Sequence, residues 1–231
     1  MDLNSAVLNL LREHGADLVG IGDVAGLAPD DYRYAIVAAL ALPVDIVEDI
    51  PNGPTPAYQA TYKVYNDRLD AMATAVADLL TAEGHRTLPL TRANAPWDPQ
   101  TAATPFPYKT AATRAGLGWV GKCALLVTPE YGSAVRLTVM LTDAPLTPNE
   151  PITTSRCGAC HACADACPGN AICNTLWHPG IDRAELVDIP ACQKAAGDRA
   201  EVTLGVRTTI CGRCFAACPY TKGYINRSKK L

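Results

Sequence analysis

Large hydrophobic residues recur along the first part of the chain with the spacings of alternating helices and strands. Residues 1–14 predict an amphipathic helix, because apolar side chains three or four positions apart share one helical face. Apolar runs at 18–22 and 34–40 predict two buried strands. The longest predicted helix covers residues 58–83, and one stripe along it is apolar: Tyr58, Tyr62, Tyr65, Leu69, Met72, Val76 and Leu79.

Shorter elements follow this helix. They are strands at 86–90, 124–127 and 135–141 and a helix at 108–115. The segment 93–108 holds four prolines and predicts a loop. Strands that alternate with helices indicate a layered domain, and the prolines between residues 145 and 151 mark its end. We therefore predict the α+β class with two domains, residues 1–148 and 149–231.

Composition and charge narrow the class of protein. Hydrophobic residues make up 48% of the 231, enough to form a core rather than a disordered chain. The formal charge of -3 excludes a strongly basic protein that coats nucleic acid. A small basic cluster lies in the tail: Lys222, Arg227, Lys229 and Lys230. The chain opens without a secretory signal, and its longest apolar run, 35–42, is shorter than the roughly 20 residues of a membrane helix. We expect a cytoplasmic protein with reduced thiols and no membrane contact.

Cysteine is the most informative residue type, because nine of the ten cysteines lie between residues 157 and 218. The run C-x2-C-x2-C-x3-C-P at 157–168 has the spacing of a bacterial ferredoxin motif, in which the fourth cysteine binds the other [4Fe–4S] cluster. The run C-x2-C-x3-C-P at 211–219 lacks only the first cysteine of that motif. Cys192 or Cys173 could replace it, and we favour Cys192 because Cys173 closely follows Cys167, which is already a ligand.

Eight cysteines therefore form a ligand set for two [4Fe–4S] clusters. The first cluster would use Cys157, Cys160, Cys163 and Cys218, and the second Cys167, Cys192, Cys211 and Cys214. Tetrahedral zinc is the alternative, but zinc motifs usually pair two C-x2-C units across a gap. Cys123 and Cys173 are left over, and we expect Cys123 to be a buried structural thiol.

A second set of runs precedes the cysteines. The run AGLGWVGK at 115–122 is followed by LLVTPEYG at 125–132, VRL at 135–137 and LTD at 141–143, and then by the first cysteine run. This order resembles epoxyqueuosine reductases and corrinoid-dependent reductive dehalogenases. The run DLVGIG at 17–22 also resembles the opening of the queuosine enzymes. The chain ends at Leu231, which implies a short form without the helical-repeat extension associated with tRNA recognition in those enzymes.

The resemblance implies a nitroreductase-like α/β domain followed by a ferredoxin-like domain with two [4Fe–4S] clusters. It implies a base-off cobalamin between the two, although flavin is an alternative cofactor for this fold. The chain has no D-x-H-x-x-G segment that would supply a histidine ligand to cobalt. Cofactor binding would fall on residues of the two glycine-containing runs: Gly116, Gly118, Trp119, Gly121, Lys122, Glu130, Tyr131 and Gly132.

The function that follows is an iron–sulfur oxidoreductase that reduces a small organic substrate. Reduced ferredoxin or flavodoxin would be its electron donor, and we do not expect nucleic acid as a partner. The alternative is a non-catalytic electron-transfer or activator protein without a corrinoid. A visible spectrum would separate the two, because corrinoid, flavin and clusters alone absorb differently.

The proton donor is where this chain departs from the family. Counting back from AGLGW to the place where queuosine enzymes carry a catalytic aspartate reaches Ala102, and its neighbours Thr101, Ala103 and Thr104 are not acids either. Dehalogenases use a tyrosine, usually with a basic residue nearby, so Tyr108 beside Lys109 is the predicted catalytic residue. Other candidates have simpler interpretations: Tyr62 and Tyr65, which we expect to pack in the core, and Asp98 beside Trp97, which we expect to be a solvated loop residue.

Overall fold

The computed structural model describes residues 2–95, 98, 102–104 and 106–230. Helices and strands are mixed along the chain, which confirms the predicted α+β class. The helices are α1 (Leu3–Glu13), α2 (Val44–Asp49), α3 (Pro56–Ala82), α4 (Tyr108–Arg114), α5 (Ala162–Asp165), α6 (Ile189–Leu204), α7 (Arg213–Ala217) and α8 (Pro219–Ser228). The strands are β1 (Leu18–Asp23), β2 (Tyr34–Ala41), β3 (Thr87–Pro89), β4 (Trp119–Val120), β5 (Leu126–Val127) and β6 (Val135–Thr142).

Two compact units divide the described residues, and neither is continuous in sequence. The first contains Met1–Leu40, Tyr65–Gly118 and Arg136–Ile152, and the second contains Ala41–Val64, Trp119–Val135 and Thr153–Leu231. The division predicted at residues 148 and 149 stays a prediction.

The first unit is built on a four-stranded sheet in the order β1-β2-β6-β3. The β1–β2 and β3–β6 pairs are antiparallel, with Leu18 opposite Ala39 and Leu88 opposite Leu141. Helices α1 and α3 cover this sheet with their apolar stripes. The core that results is formed by Val7, Leu11, Ile21, Ile36, Leu40, Leu69, Met72, Val76, Leu80 and Met140.

The second unit carries the cysteines and has little regular sheet. Its β4–β5 pair is a two-residue ladder, with Trp119 opposite Val127 and Val120 opposite Leu126. A small apolar cluster forms around Val120, and the other buried members are Ala124, Ala171, Leu186 and Val187. A core this small gives limited stabilisation, so we expect the bound clusters to stabilise this unit substantially.

No helix among the described residues is both long enough and apolar enough to cross a membrane.

Candidate metal centre

The eight predicted ligands lie in the second unit, and all of them are free thiols. Cys214 lies on α7, and Cys218 is the N-cap residue of α8, where Pro219 at the first helical position sets the start of the helix. Cys192 lies in the first turn of α6. Short helices and turns therefore present cysteines that are distant in sequence within one compact unit.

The first predicted set combines Cys218 with the first cysteine run. Burial raises the pKa of the Cys218 thiol, the backbone N–H groups of Thr221 and Tyr220 lower it, and the charges of Cys157 and Cys163 raise it again. Those last two interactions require the second run's final cysteine to lie near the first run. The cross-over ligation that the sequence predicts for the first cluster stays a prediction.

The second predicted set surrounds one small cavity. Cys167, Cys192, Cys211 and Cys214 line it, together with apolar side chains such as Ile172 and Val187. Burial is the largest cause that raises the pKa of Cys192, and the charges of Cys167 and Cys211 raise it further. Cys173 is exposed, and its sulfur instead approaches the carbonyl oxygen of Ala184 at 3.8 Å. The geometry therefore supports the choice of Cys192 over Cys173, which stays a prediction.

The donor set fits iron–sulfur clusters chemically. Thiolates are soft ligands, and four of them hold a [4Fe–4S] cluster by binding one iron each. Within the described part of the chain, no three His, Cys, Asp or Glu side chains converge closely enough to hold a single metal ion. A cluster sets a different requirement from a single ion, since its four thiolates need not meet at one point.

The predicted cofactor residues Trp119 and Lys122 contact the first cysteine run. Trp119 is fully buried, and its Nε1 donates to the sulfur of Cys157 at 3.5 Å. Lys122 is only 4% exposed, and its Nζ donates to the carbonyl oxygen of Cys160 at 2.9 Å. A buried tryptophan and a buried ammonium thus hold the loop that presents two predicted ligands. Their binding of a further cofactor stays a prediction.

The glycines of the same runs permit close packing. Gly116 ends α4 at φ +71°, and a Cβ there would lie 2.7 Å from the carbonyl oxygen of Glu150. A Cβ on Gly121 would lie 2.7 Å from Cγ2 of Val127, so this glycine allows the tight connection between β4 and β5. Gly118 immediately precedes β4. These positions explain why the runs need glycine without requiring a ligand there.

The Glu130-Tyr131-Gly132 turn lies against α8. Its backbone closes through two hydrogen bonds between Thr128 and Gly132, of 2.8 and 3.0 Å. Tyr131 packs edge-on against Tyr224, with ring centroids 5.1 Å apart. Sequence reasoning missed the next residue, Ser133, whose hydroxyl is buried and has no hydrogen-bond partner among the described residues. A buried hydroxyl without a partner is costly to the folded state.

Tyr108, the predicted catalytic residue, begins α4 in the first unit. Its hydroxyl donates a hydrogen bond to the carbonyl oxygen of Leu90. Burial raises the pKa of Tyr108 to about 12, the charge of Asp70 adds to this rise, and Arg136 opposes it. The phenol therefore keeps its proton at neutral pH, and that proton is held by a backbone carbonyl. A catalytic role for Tyr108 stays a prediction.

The other proton-donor candidates occupy varied positions. Tyr65 packs against the core of the first unit, as expected. The expectation that Tyr62 packs in the core is wrong, because Tyr62 lines an open groove with Lys63 and Thr208. Asp98 is exposed, as expected for a loop aspartate, and its neighbour Trp97 lies outside the described residues.

Comparison with known proteins decides the nature of the cysteine-bearing segment. Residues 156–221 match the family model of the 4Fe-4S double cluster binding domain. The C-terminal part of the chain therefore matches a double [4Fe–4S] domain. The chain is also 37% identical over 114 residues to epoxyqueuosine reductase from Listeria monocytogenes, covering 49% of this chain and 29% of that protein. It is 34% identical over 120 residues to tetrachloroethene reductive dehalogenase from Sulfurospirillum multivorans, covering 49% and 23%. The matches confirm the resemblance, although they span less than a third of either relative.

Solved structures share the fold over nearly the whole chain. An epoxyqueuosine reductase bound to a modified tRNA stem loop superposes with a TM-score of 0.65 at 22% identity, covering 96% of this chain and 66% of that one. A reductive dehalogenase described as B12-dependent superposes with a TM-score of 0.67 at 20% identity, covering 97% and 33%. The likeness confirms the predicted fold class.

The predicted partners require a correction. The expectation that nucleic acid is not a partner is wrong, because the matching relatives are epoxyqueuosine reductases and one was solved with a tRNA stem loop. The prediction relied on the net charge of the whole chain, which hides a local excess of basic residues. Residues 153–231 hold ten Lys and Arg against six Asp and Glu. The ferredoxin or flavodoxin donor finds no support among these relatives, and we abandon it.

Proposed function

We propose that this chain is an iron–sulfur oxidoreductase, in which two [4Fe–4S] clusters deliver electrons to a bound corrinoid. The observation that carries the proposal is the arrangement of eight thiols in one compact unit. Cys218 interacts with Cys157 and Cys163, and Cys192 shares a cavity with Cys167, Cys211 and Cys214. Because each run gives one cysteine to the other run's cluster, the two clusters lie close together, which suits electron transfer between them.

The chain's own residues would hold the clusters and control their surroundings. Trp119 and Lys122 fix the loop of the first cysteine run through the sulfur of Cys157 and the carbonyl of Cys160. Lys122 also places a positive charge in a buried setting, which favours the more negative, reduced state of a nearby cluster.

Corrinoid is the cofactor that we favour, and two observations support it. One structural neighbour is described as B12-dependent. In this chain, the unpartnered hydroxyl of Ser133 follows directly on the predicted cofactor residues Glu130, Tyr131 and Gly132. A corrinoid would supply the strongly reducing cobalt chemistry, while Ser133 would help to hold and orient it.

Nucleic acid is the partner class that we favour for the substrate. The excess of basic residues over residues 153–231 gives this segment the sign of charge that attracts a phosphate backbone. The tRNA stem loop in one structural neighbour supports the same class.

An electron-transfer protein without substrate chemistry is the second candidate, and Ala102 favours it. The described residues 102–104 are Ala102, Ala103 and Thr104, so this segment offers no carboxyl group as a proton donor. Under this alternative the clusters would pass electrons to another protein.

Elemental analysis of the protein tests the main proposal. After anaerobic purification with a cobalamin supply, we expect about eight irons and about one cobalt per chain, as two [4Fe–4S] clusters and one corrinoid require. The same iron content without cobalt or flavin would favour the electron-transfer candidate, and a flavin spectrum would replace the corrinoid. Zinc in place of iron would overturn the whole proposal.

Replacing Ser133 with alanine tests the corrinoid site itself. We expect S133A to keep the iron content of the wild type and to bind cobalamin several-fold more weakly, because one buried hydrogen bond to a ligand contributes about 1 kcal/mol. Equilibrium dialysis with cobalamin measures this change. S228A is the matched control, since the Ser228 hydroxyl donates to Tyr224 at the end of α8, and we expect it to bind normally. Equal affinity of S133A and the wild type would contradict a role for Ser133.

A further inference from the structure

Trp119 is held in a fixed orientation in the second unit. Its backbone lies in β4, where it pairs with Val127 of β5, and its side chain is fully buried. The indole ring packs edge-on against Tyr220, with ring centroids 4.9 Å apart, and the guanidinium carbon of Arg156 lies 5.5 Å from the centroid of the indole ring. An aromatic edge and a cation both interact favourably with an indole ring. These contacts restrict the directions in which the ring can point.

The orientation of the ring directs the indole N–H to a predicted ligand of the first cluster. Nε1 of Trp119 donates a hydrogen bond to Sγ of Cys157 at 3.5 Å. Tyr220, which packs against the same ring, comes two residues after Cys218, the ligand that the second run is predicted to give to the first cluster. The indole therefore lies beside one ligand of the first set and beside a close neighbour of another.

The indole N–H is a donor of constant strength at neutral pH. It donates and never accepts, and it does not titrate as a thiol or an imidazole does. Hydrogen bonds to the sulfurs of an iron–sulfur cluster stabilise the reduced state, which carries the larger negative charge, and so raise the reduction potential. Because the indole has a single N–H, this hydrogen bond acts on the first set alone.

We propose that the N–H of Trp119 raises the reduction potential of the first cluster relative to that of the second. This inference rests on the clusters of the proposed function and extends it to the direction of electron transfer between them. The difference favours transfer of an electron from the second cluster, which is oxidised, to the first, which is reduced, and the indole keeps its proton throughout. Trp119 is a positioning residue in this scheme, since it touches a ligand and not the irons.

Replacing Trp119 with phenylalanine in the full-length protein tests this role after anaerobic purification. W119F keeps an aromatic ring and loses the N–H, and we expect it to retain the wild-type iron content. The equilibrium constant for reduction of one cluster should fall about tenfold, a shift of about 59 mV for a one-electron couple, while that of the other cluster stays unchanged. A redox titration followed by electron paramagnetic resonance gives both potentials.

Two further variants separate the effect of the N–H from that of the ring. Benzothienylalanine incorporated at position 119 carries a sulfur atom in place of the N–H and keeps the shape of the indole, so it should lower the same potential as W119F does. Trp177 packs against the small apolar cluster around Val120. W177F makes the same change of ring at that site, and we expect it to have the potentials of the wild type.

Several results would overturn the inference. They are unchanged potentials in the benzothienylalanine variant, an equal shift of both clusters, and a shift in W177F as large as that in W119F. If W119F loses iron because its ring is smaller, the potentials of the benzothienylalanine variant decide between the same outcomes. A wild-type protein without iron would refute the proposed function, whereas each of the other results leaves the clusters in place.

Discussion

Replacing Cys192 with alanine is expected to remove one of the two clusters, and with it about half of the iron. The reason is that Cys192 shares the second cavity with Cys167, Cys211 and Cys214, and its thiol interacts with two of them. A [4Fe–4S] cluster that loses one of its four thiolates has one iron without a protein ligand. In oxygen-free buffer without added thiols, that iron leaves the cluster labile. We expect iron to fall from about eight to about four per chain.

The C192A experiment has a close control in Cys173, the alternative that spacing alone left open. Cys173 is exposed, and its sulfur approaches a backbone carbonyl rather than the second cavity, so C173A should keep all of its iron. Iron analysis and the electron paramagnetic resonance spectrum of the dithionite-reduced protein measure both variants. Full iron in C192A together with half-loss in C173A would reverse the ligand assignment.

The cysteine runs were predictable from sequence because their chemistry is local. Three thiolates spaced by two residues can bind one cluster only within a tight loop, and that constraint is visible in the order of residues alone. Helix α3 could also be predicted from the sequence, because its apolar stripe repeats over many turns. The predicted range 58–83 overlaps the observed Pro56–Ala82.

Short elements and long-range contacts could not be predicted from the sequence. Helix α2 has only six residues and follows Pro43, so it gives too short a pattern for periodicity to detect. Strand β4 falls within the glycine-containing run, where turns were the simpler interpretation. The contacts of Trp119 with Cys157 and of Lys122 with Cys160 join positions 38 residues apart. No periodic pattern encodes such pairs, and only the resemblance indicated that the two runs act together.

Position 132 shows how a residue predicted for cofactor binding also acts in packing. Gly132 has φ +59°, and a Cβ there would collide with the backbone nitrogen and hydroxyl of Thr221 and lie 2.7 Å from its Cα. The same place holds a hydrogen bond of 3.1 Å between Ser133 N and Thr221 Oγ1. We expect G132A to lower the free energy of unfolding by about 2–5 kcal/mol, combining the cost of the left-handed backbone with that of overpacking. Urea unfolding of the anaerobic protein measures the change.

The matched control separates these two costs. Gly180 has φ +86°, and a Cβ built there meets nothing within 4 Å, so G180A should lose only the backbone part, about 1–2 kcal/mol. Thr221 lies on α8, three residues after the predicted ligand Cys218. A shift of α8 away from the new methyl group would therefore move that ligand, and G132A should lose iron faster than G180A on exposure to air. Equal stability of the two variants would show that α8 moves away from the new methyl group at little cost in free energy, and that the turn at 130–132 does not hold Cys218 in place.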